Sequence, residues 1–342
     1  MTTTALYPWL EAAWLQLMRA PESMAHALLL TGAPGIGKRR FADYLAQYLL
    51  CESHDKQTAP CGQCDGCRWY LSGNHPDFRL LAPEEQGESE GEESKAKRKV
   101  PLIKVESIRE LIEFVNLTAH RRGAKVVLLD PVESMNTSAA NAFLKMLEEP
   151  PAGVTFILVS HHWRRLLPTV RSRCRVFPIA TPEPRVASQW LNAQGVVNPV
   201  LHLAHAGGAP LAALDDAHAE WLPQRAAFLD HIANPAALNV LGVAAELEKA
   251  KLDTELVVDW LQKWVHDLIG MGLAGRIRYY PDRRDDLARL QQRAVNMIGF
   301  IDRLRDSRRL ANHPLNQRLV FESLLFAYLE ALHGKAHGVR NG

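Results

Sequence analysis

Five apolar runs in the first half of the chain read as buried strands: HALLLTG (26–32), DFRLL (77–81), KVVLLD (125–130), VTFILVS (154–160) and RVFPI (175–179). Short runs of this kind suit strands covered on both faces. Helical spacing appears between them. In ESIRELIEFVNL, Ile108, Leu111, Ile112 and Val115 fall on one face, with Ser107 as the N-cap. In NTSAANAFLKMLEEPP, Ala140, Phe143, Leu144 and Leu147 share a face, and Pro150-Pro151 ends the helix. Strands alternating with helices predict an α/β fold, a parallel sheet with flanking helices.

After TPEP (181–184) the strand signals fade. RVASQWLNAQG and PVLHLAHAGGAPLAAL form a short helical module broken at Gly207-Gly208. From about residue 218 the chain reads as helices, including ELVVDWLQKWVHDLIGMG and LNQRLVFESLLFAYLEALHG. Trp260 and Trp264 are four apart, as are Leu315 and Leu319, a spacing that predicts core. The boundaries so drawn are 1–178, 179–217 and 218–342. No repeat of fixed period is present.

Charge and composition narrow the picture. PEEQGESEGEESKAKRK (83–99) holds six glutamates, then four basic residues, and no large apolar side chain. It cannot bury enough surface to offset its ordering entropy, so a mobile, solvated loop is expected. The net charge of +2 means that any nucleic-acid role rests on a local patch. Arg121, Arg122 and Lys125, and Arg164-Arg165, are candidate phosphate contacts, with solvated charge as the plainer reading. No apolar run approaches the roughly 20 residues of a membrane span, and no signal core opens the chain. A cytoplasmic location is expected.

Four of the five cysteines, Cys51, Cys61, Cys64 and Cys67, lie in one window as C-x9-C-x2-C-x2-C. Four thiolates at such spacing can surround Zn²⁺ tetrahedrally, with Gly62 and Gly66 easing the turns between them. Sulfur at all four positions leaves no site for water, so the zinc is expected to be structural. Cys174 stands alone and reads as a small buried hydrophobe.

TGAPGIGKRR (31–40) has the form of a phosphate loop, with Gly32, Gly35, Gly37 and Lys38 between a strand and a helix. Backbone N–H groups of such a loop cradle phosphates and its lysine reaches the β/γ oxygens. The plain alternative is a glycine-rich turn without a ligand. Arg39 stands where a metal-holding hydroxyl is required. The acidic motif is also altered: VVLLD ends in Asp130 followed by Pro131, and Glu133 lies three residues further on. These changes predict little or no hydrolysis.

In this order, the phosphate-loop remnant, the cysteine module, AANAFLKMLEEPP and Ser172-Arg173-Cys174 resemble the AAA+ clamp-loader subunits of bacterial DNA polymerase III. The likeness runs over the whole chain, since NHPLNQRLVFESLLFAYLEAL is also similar to the family's C-terminus. It implies an AAA+ phosphate-loop domain with a zinc-binding insertion, a small helical lid and an all-α collar domain. The departures at Arg39, at Asp130 and at Leu211, near the place of the family's lid arginine, fit a member without turnover of its own. By the resemblance Arg173 would act in trans on a neighbouring subunit's ATP, with Arg171 and Arg175 as fallback candidates. The implied partners are gamma/tau and delta subunits in a hetero-pentamer, and through it the sliding clamp and primed DNA. Two alternatives stay open: a hydrolysing gamma/tau-type subunit using Lys38 and Asp130, and a zinc-dependent DNA-binding module.

Overall fold

The computed structural model describes residues 5–19, 25–53, 59–83, 102–120, 124–293, 297–310 and 316–333. The acidic-basic loop beyond Pro83, together with Arg121, Arg122 and Leu315, lies outside the described residues. The chain divides into two compact units, the first running to Ala187 and the second from Ser188.

The first unit carries a five-stranded parallel sheet in the order β2-β3-β4-β1-β5, with β1 at Ala27–Thr31, β2 at Phe78–Leu81, β3 at Lys125–Leu129, β4 at Val154–Ser160 and β5 at Arg175–Pro178. All five strands expected from the apolar runs are present. β1 and β3 are buried at every residue, and β4 at every residue but Thr155. Register pairs Leu29 of β1 with Leu158 of β4, and Leu128 of β3 with Ile157. Parallel strands so covered end at a common edge, and the loops that leave it build the site.

Helices α1 (Glu11–Met18), α2 (Lys38–Leu50), α3 (Asp65–Leu71), α4 (Val105–Asn116), α5 (Thr137–Glu148) and the single turn α6 (Pro168–Arg171) complete this unit. On α5 the buried residues are Ala139, Ala140, Phe143, Met146 and Leu147, and the Phe143 ring meets Phe156 edge to face. Asn136 caps the helix by accepting from the Ala139 N–H at 2.7 Å. Helix α4 starts before the expected cap: Lys104 is the N-cap and Ser107 lies inside the first turn. The chain enters that helix from Ile103, whose N–H and C=O are bonded to Ser134 and Asn136.

Lys125 also departs from expectation. It is buried, not solvated, and its Nζ donates to the carbonyls of Phe114 and Leu117 at 2.5 Å each. A cation there satisfies carbonyls left open at the C-terminal end of α4. Lys125 is therefore a helix cap and not a phosphate contact.

Helix α7 (Pro184–Ala193) crosses the division between the units. The second unit continues with α8 (Pro199–His205) and α9 (Pro210–Ala217), separated at Gly207 and Gly208, both at positive φ. Then come α10 (Leu222–Ala233), α11 (Val240–Lys249), α12 (Thr254–Ala274), α13 (Arg284–Leu290), α14 (Met297–Leu310) and α15 (Gln317–His333). Trp260 and Trp264 are core, as their spacing predicts. Leu319 is 60% exposed, because the buried stripe of α15 runs through Phe321, Leu324, Leu325, Tyr328 and Leu332.

Two polar groups fix this helical core. The fully buried Asp267 carboxylate accepts from the N–H groups of Arg278, Tyr279 and Tyr280 at 2.7–2.8 Å, tying α12 to the chain that doubles back. Buried His205 joins α8 to α10: Arg225 Nη2 donates to its Nδ1 at 2.7 Å, and its Nε2–H faces Asp282 at 3.2 Å. Burial lowers its pKa, the Asp282 bond opposes this, and the Arg225 charge lowers it further.

Asp267→Ala removes the acceptor of three N–H groups, that of Tyr280 buried, and should lower unfolding stability by about 2–4 kcal/mol, read by chemical denaturation. His205 resists protonation when folded, so the unfolded chain takes up a proton first as pH falls below about 6.5. Stability should fall from there through the lower folded pKa. Denaturation midpoints between pH 7.5 and 5.5 should show a shallower loss in His205→Gln.

Candidate functional site

The β1-to-α2 loop needs its glycines. Gly32 has φ 151°, and a Cβ there would lie 2.5 Å from the Ile179 carbonyl. Gly37 has φ 90°, and its Cβ would meet the Tyr7 ring at 2.8 Å. Gly35 is also at positive φ. The segment before α1 packs on this loop, with Trp9 Nε1 donating to the Ile36 carbonyl at 2.9 Å.

Lys38 is buried and turns back on its own loop, its Nζ donating to the Gly32 and Ala33 carbonyls at 3.0 and 2.6 Å. Burial lowers its pKa to about 8, against the opposing charges of Glu133 and Asp130. Arg39 is held by two carboxylates. Its Nε lies 3.1 Å from both oxygens of Asp43, one turn on in α2, and its Nη1 donates to Asp130 Oδ2 at 3.2 Å. Tyr70 of α3 donates to Asp43 Oδ1 at 3.0 Å. The residue in the hydroxyl position thus brings a cation onto the carboxylate that ends β3.

Glu133, too distant in sequence to be assigned, belongs to the same edge. A 3-10 turn at Val132–Ser134 carries it back, and its Oε1 accepts from the N–H groups of His161 and His162 at 2.7 and 2.9 Å. His161 Nε2 lies 3.9 Å from Asp130 Oδ1. Burial lowers the His161 pKa and the Lys38 charge adds to this, against the opposing charges of Glu133 and Asp130. Asp130 Oδ1, Glu133 Oε2, Ser160 Oγ and His161 Nδ1 are buried without a hydrogen-bond partner among the described residues.

Arg173 sits apart from these groups, between α6 and β5. Its Nη2 is 2.7 Å from Glu148 Oε1 at the end of α5, and its Nη1 donates to the Thr169 carbonyl at 3.0 Å. The guanidinium is about one third exposed. Arg171 and Arg164 flank the Trp163 ring at 5.1 and 5.5 Å. Cys174 donates to the Val170 carbonyl, and burial pushes its thiol up to about 12, as suits a packing residue. Leu211 lies in the first turn of α9 in the second unit.

The four clustered cysteines converge. Cys51 ends α2, Cys64 caps α3, Cys67 lies in α3, and the four sulfurs all lie within 4.8 Å of one another. Backbone N–H groups of Glu52, Cys61, Cys64 and Cys67 point at these sulfurs at 3.4 Å, which favours thiolates. Gly62 makes a turn at positive φ, as expected. Gly66 serves a different need: a Cβ there would lie 2.5 Å from the Leu50 carbonyl, so it permits α3 to approach α2. The four thiols can hold one metal ion.

Fold and loop together define an α/β domain, a parallel sheet whose glycine-rich loop leaves β1, the strand between β4 and β5. The family model described as DNA polymerase III, delta subunit matches residues 12–183. A Pseudomonas aeruginosa protein named DNA polymerase III subunit delta' is 33% identical over 338 residues, covering 94% of this chain and 96% of that protein. The Escherichia coli protein of the same name is 36% identical over 213 residues, 61% of this chain and 60% of that protein. Among solved structures, a DNA polymerase III gamma subunit-related protein of Thermotoga maritima is 17% identical with a TM-score of 0.41, covering 93% of this chain and 99% of that chain. The chain belongs to the DNA polymerase III delta' family.

Cys64→Ser should reduce bound metal from about one equivalent per chain to a small fraction, measured by elemental analysis of the purified protein. It should also lower the melting temperature, because binding energy at such a site is folding energy.

Proposed function

We propose that this chain acts in a clamp loader as its delta' subunit, supporting ATP-driven loading of a sliding clamp on primed DNA without hydrolysing ATP itself. The observation that carries this reading is the Arg39–Asp130 pair. A nucleotide-bound Mg²⁺ needs a hydroxyl from the loop and a carboxylate from the strand end. Here the hydroxyl is replaced by a guanidinium, and that guanidinium holds the carboxylate at 3.2 Å. Lys38 is engaged with its own loop carbonyls. These residues do not fit a catalytic metal–nucleotide site, so no step is assigned to this chain's own loop.

Its contribution to turnover is Arg173, placed in trans against the ATP of an adjoining gamma/tau subunit. The partly exposed guanidinium has N–H donors beyond those used on Glu148 and Thr169. Presented to a γ-phosphate, they stabilise charge that grows in the transition state. The helical module before residue 218 would serve as lid and the helices after it as a collar, in a hetero-pentamer with gamma/tau and delta. The cysteine cluster fits structural zinc: four sulfur donors complete a tetrahedron and leave no open position. A cytoplasmic setting suits this role, and no described helix is long and apolar enough to cross a membrane.

The test is ATP turnover by the reconstituted assembly with clamp and primed DNA, with integrity checked by sizing. Arg173→Ala should lower turnover at the adjoining site by about 10³-fold or more. Unchanged turnover in an intact assembly would leave this chain as scaffold alone.

A further inference from the structure

We propose that Glu148 is a positioning residue for Arg173: the carboxylate at the end of α5 sets the guanidinium in the orientation that it presents to a neighbour's phosphate. This rests on the reading of Arg173 given above.

Three observations carry the proposal. First, Arg173 is held at both of its terminal nitrogens. Glu148 Oε1 takes Nη2 at 2.7 Å, and the Thr169 carbonyl takes Nη1 at 3.0 Å, with Ser172 Oγ at the limit of that same nitrogen. A guanidinium has five N–H donors in a rigid plane, so fixing two nitrogens fixes the directions of the remaining donors.

Second, helix energetics give no reason for a carboxylate here. Glu148 is the last residue of α5, where the helix dipole disfavours an anion. The nearby arginine supplies the favourable partner.

Third, the pair is weak enough to position without locking. Glu148 is about half exposed and Arg173 about one third, and ion pairs so open to water contribute little to stability. A triphosphate carries far more charge than one carboxylate and can take the free donors. Bracing the long side chain beforehand reduces the freedom it loses on docking.

The experiment compares Glu148→Gln, Glu148→Asp, Arg173→Ala and the Glu148→Gln/Arg173→Ala pair in the assembled complex, with ATP, clamp and primed DNA. Glu148→Gln should lower adjoining-site turnover roughly tenfold, far less than Arg173→Ala, and Glu148→Asp should recover part of the loss. In the Arg173→Ala background, Glu148→Gln should change nothing further, since its only route is through that arginine. Melting temperature should stay at the wild-type value in each. Faster turnover in Glu148→Gln would overturn the proposal, because the pair would then be a restraint. An equal loss with and without Arg173 would overturn it too, assigning Glu148 a structural role. If Arg173→Ala lowers turnover and Glu148→Gln does not, this inference alone fails. If Arg173→Ala has no effect, the trans reading fails and takes this one with it.

Discussion

Burial of the three neighbouring strands β3, β4 and β1 is the constraint on which the first unit depends. Nearly every residue along them is buried, and the only charged side chain they carry is Lys125, at the start of β3. Polar groups are pushed to the edge where the parallel strands end. Lys38 and Arg39 arrive there after β1, Asp130 and Glu133 after β3, and Ser160 and His161 with the end of β4. Charges crowded at a half-buried edge must neutralise one another or remain in water. Arg39 meets part of that demand by bridging Asp130 and Asp43.

The cysteine module extends the same network. Cys51 ends α2 and Cys67 lies in α3, so a metal ion held by the four sulfurs would join the two helices. Gly66 lets them approach, and Tyr70 of α3 reaches Asp43 of α2, the residue that holds the Nε of Arg39. A path of direct contacts thus leads from Tyr70, on the helix that carries Cys67, through Asp43 and Arg39 to Asp130. On the opposite side of the loop, Tyr7 and Trp9 pack against Gly37 and Ile36. Ile36, Gly37 and Lys38 are buried, while Ala33 and Pro34 at the tip of the loop are exposed.

Much of this is legible in the sequence, because local pattern decides it. Apolar runs marked all five strands, although only β1, β3 and β4 are largely buried, and the glycines with Lys38 marked the loop. What was not legible depends on contacts between distant residues. Glu133 is brought to the site by a 3-10 turn, and its distance from Asp130 along the chain conceals this. Asp43 and Tyr70 carry no motif and matter only because Arg39 points toward them. Lys125 looks like a solvated charge until the end of α4 is placed over it. Leu319 has the spacing of a core residue but the wrong phase for the buried stripe of α15, which only packing reveals.

In the proposed function, Arg39 keeps this chain's own loop from hydrolysing ATP. The direct measurement is Mg²⁺-dependent ATP hydrolysis by the purified chain alone, beside Lys38→Ala. The account predicts no turnover above the buffer rate, identical in both proteins. Turnover that requires Mg²⁺ and disappears in Lys38→Ala would contradict it, and would make this chain an ATPase in its own right.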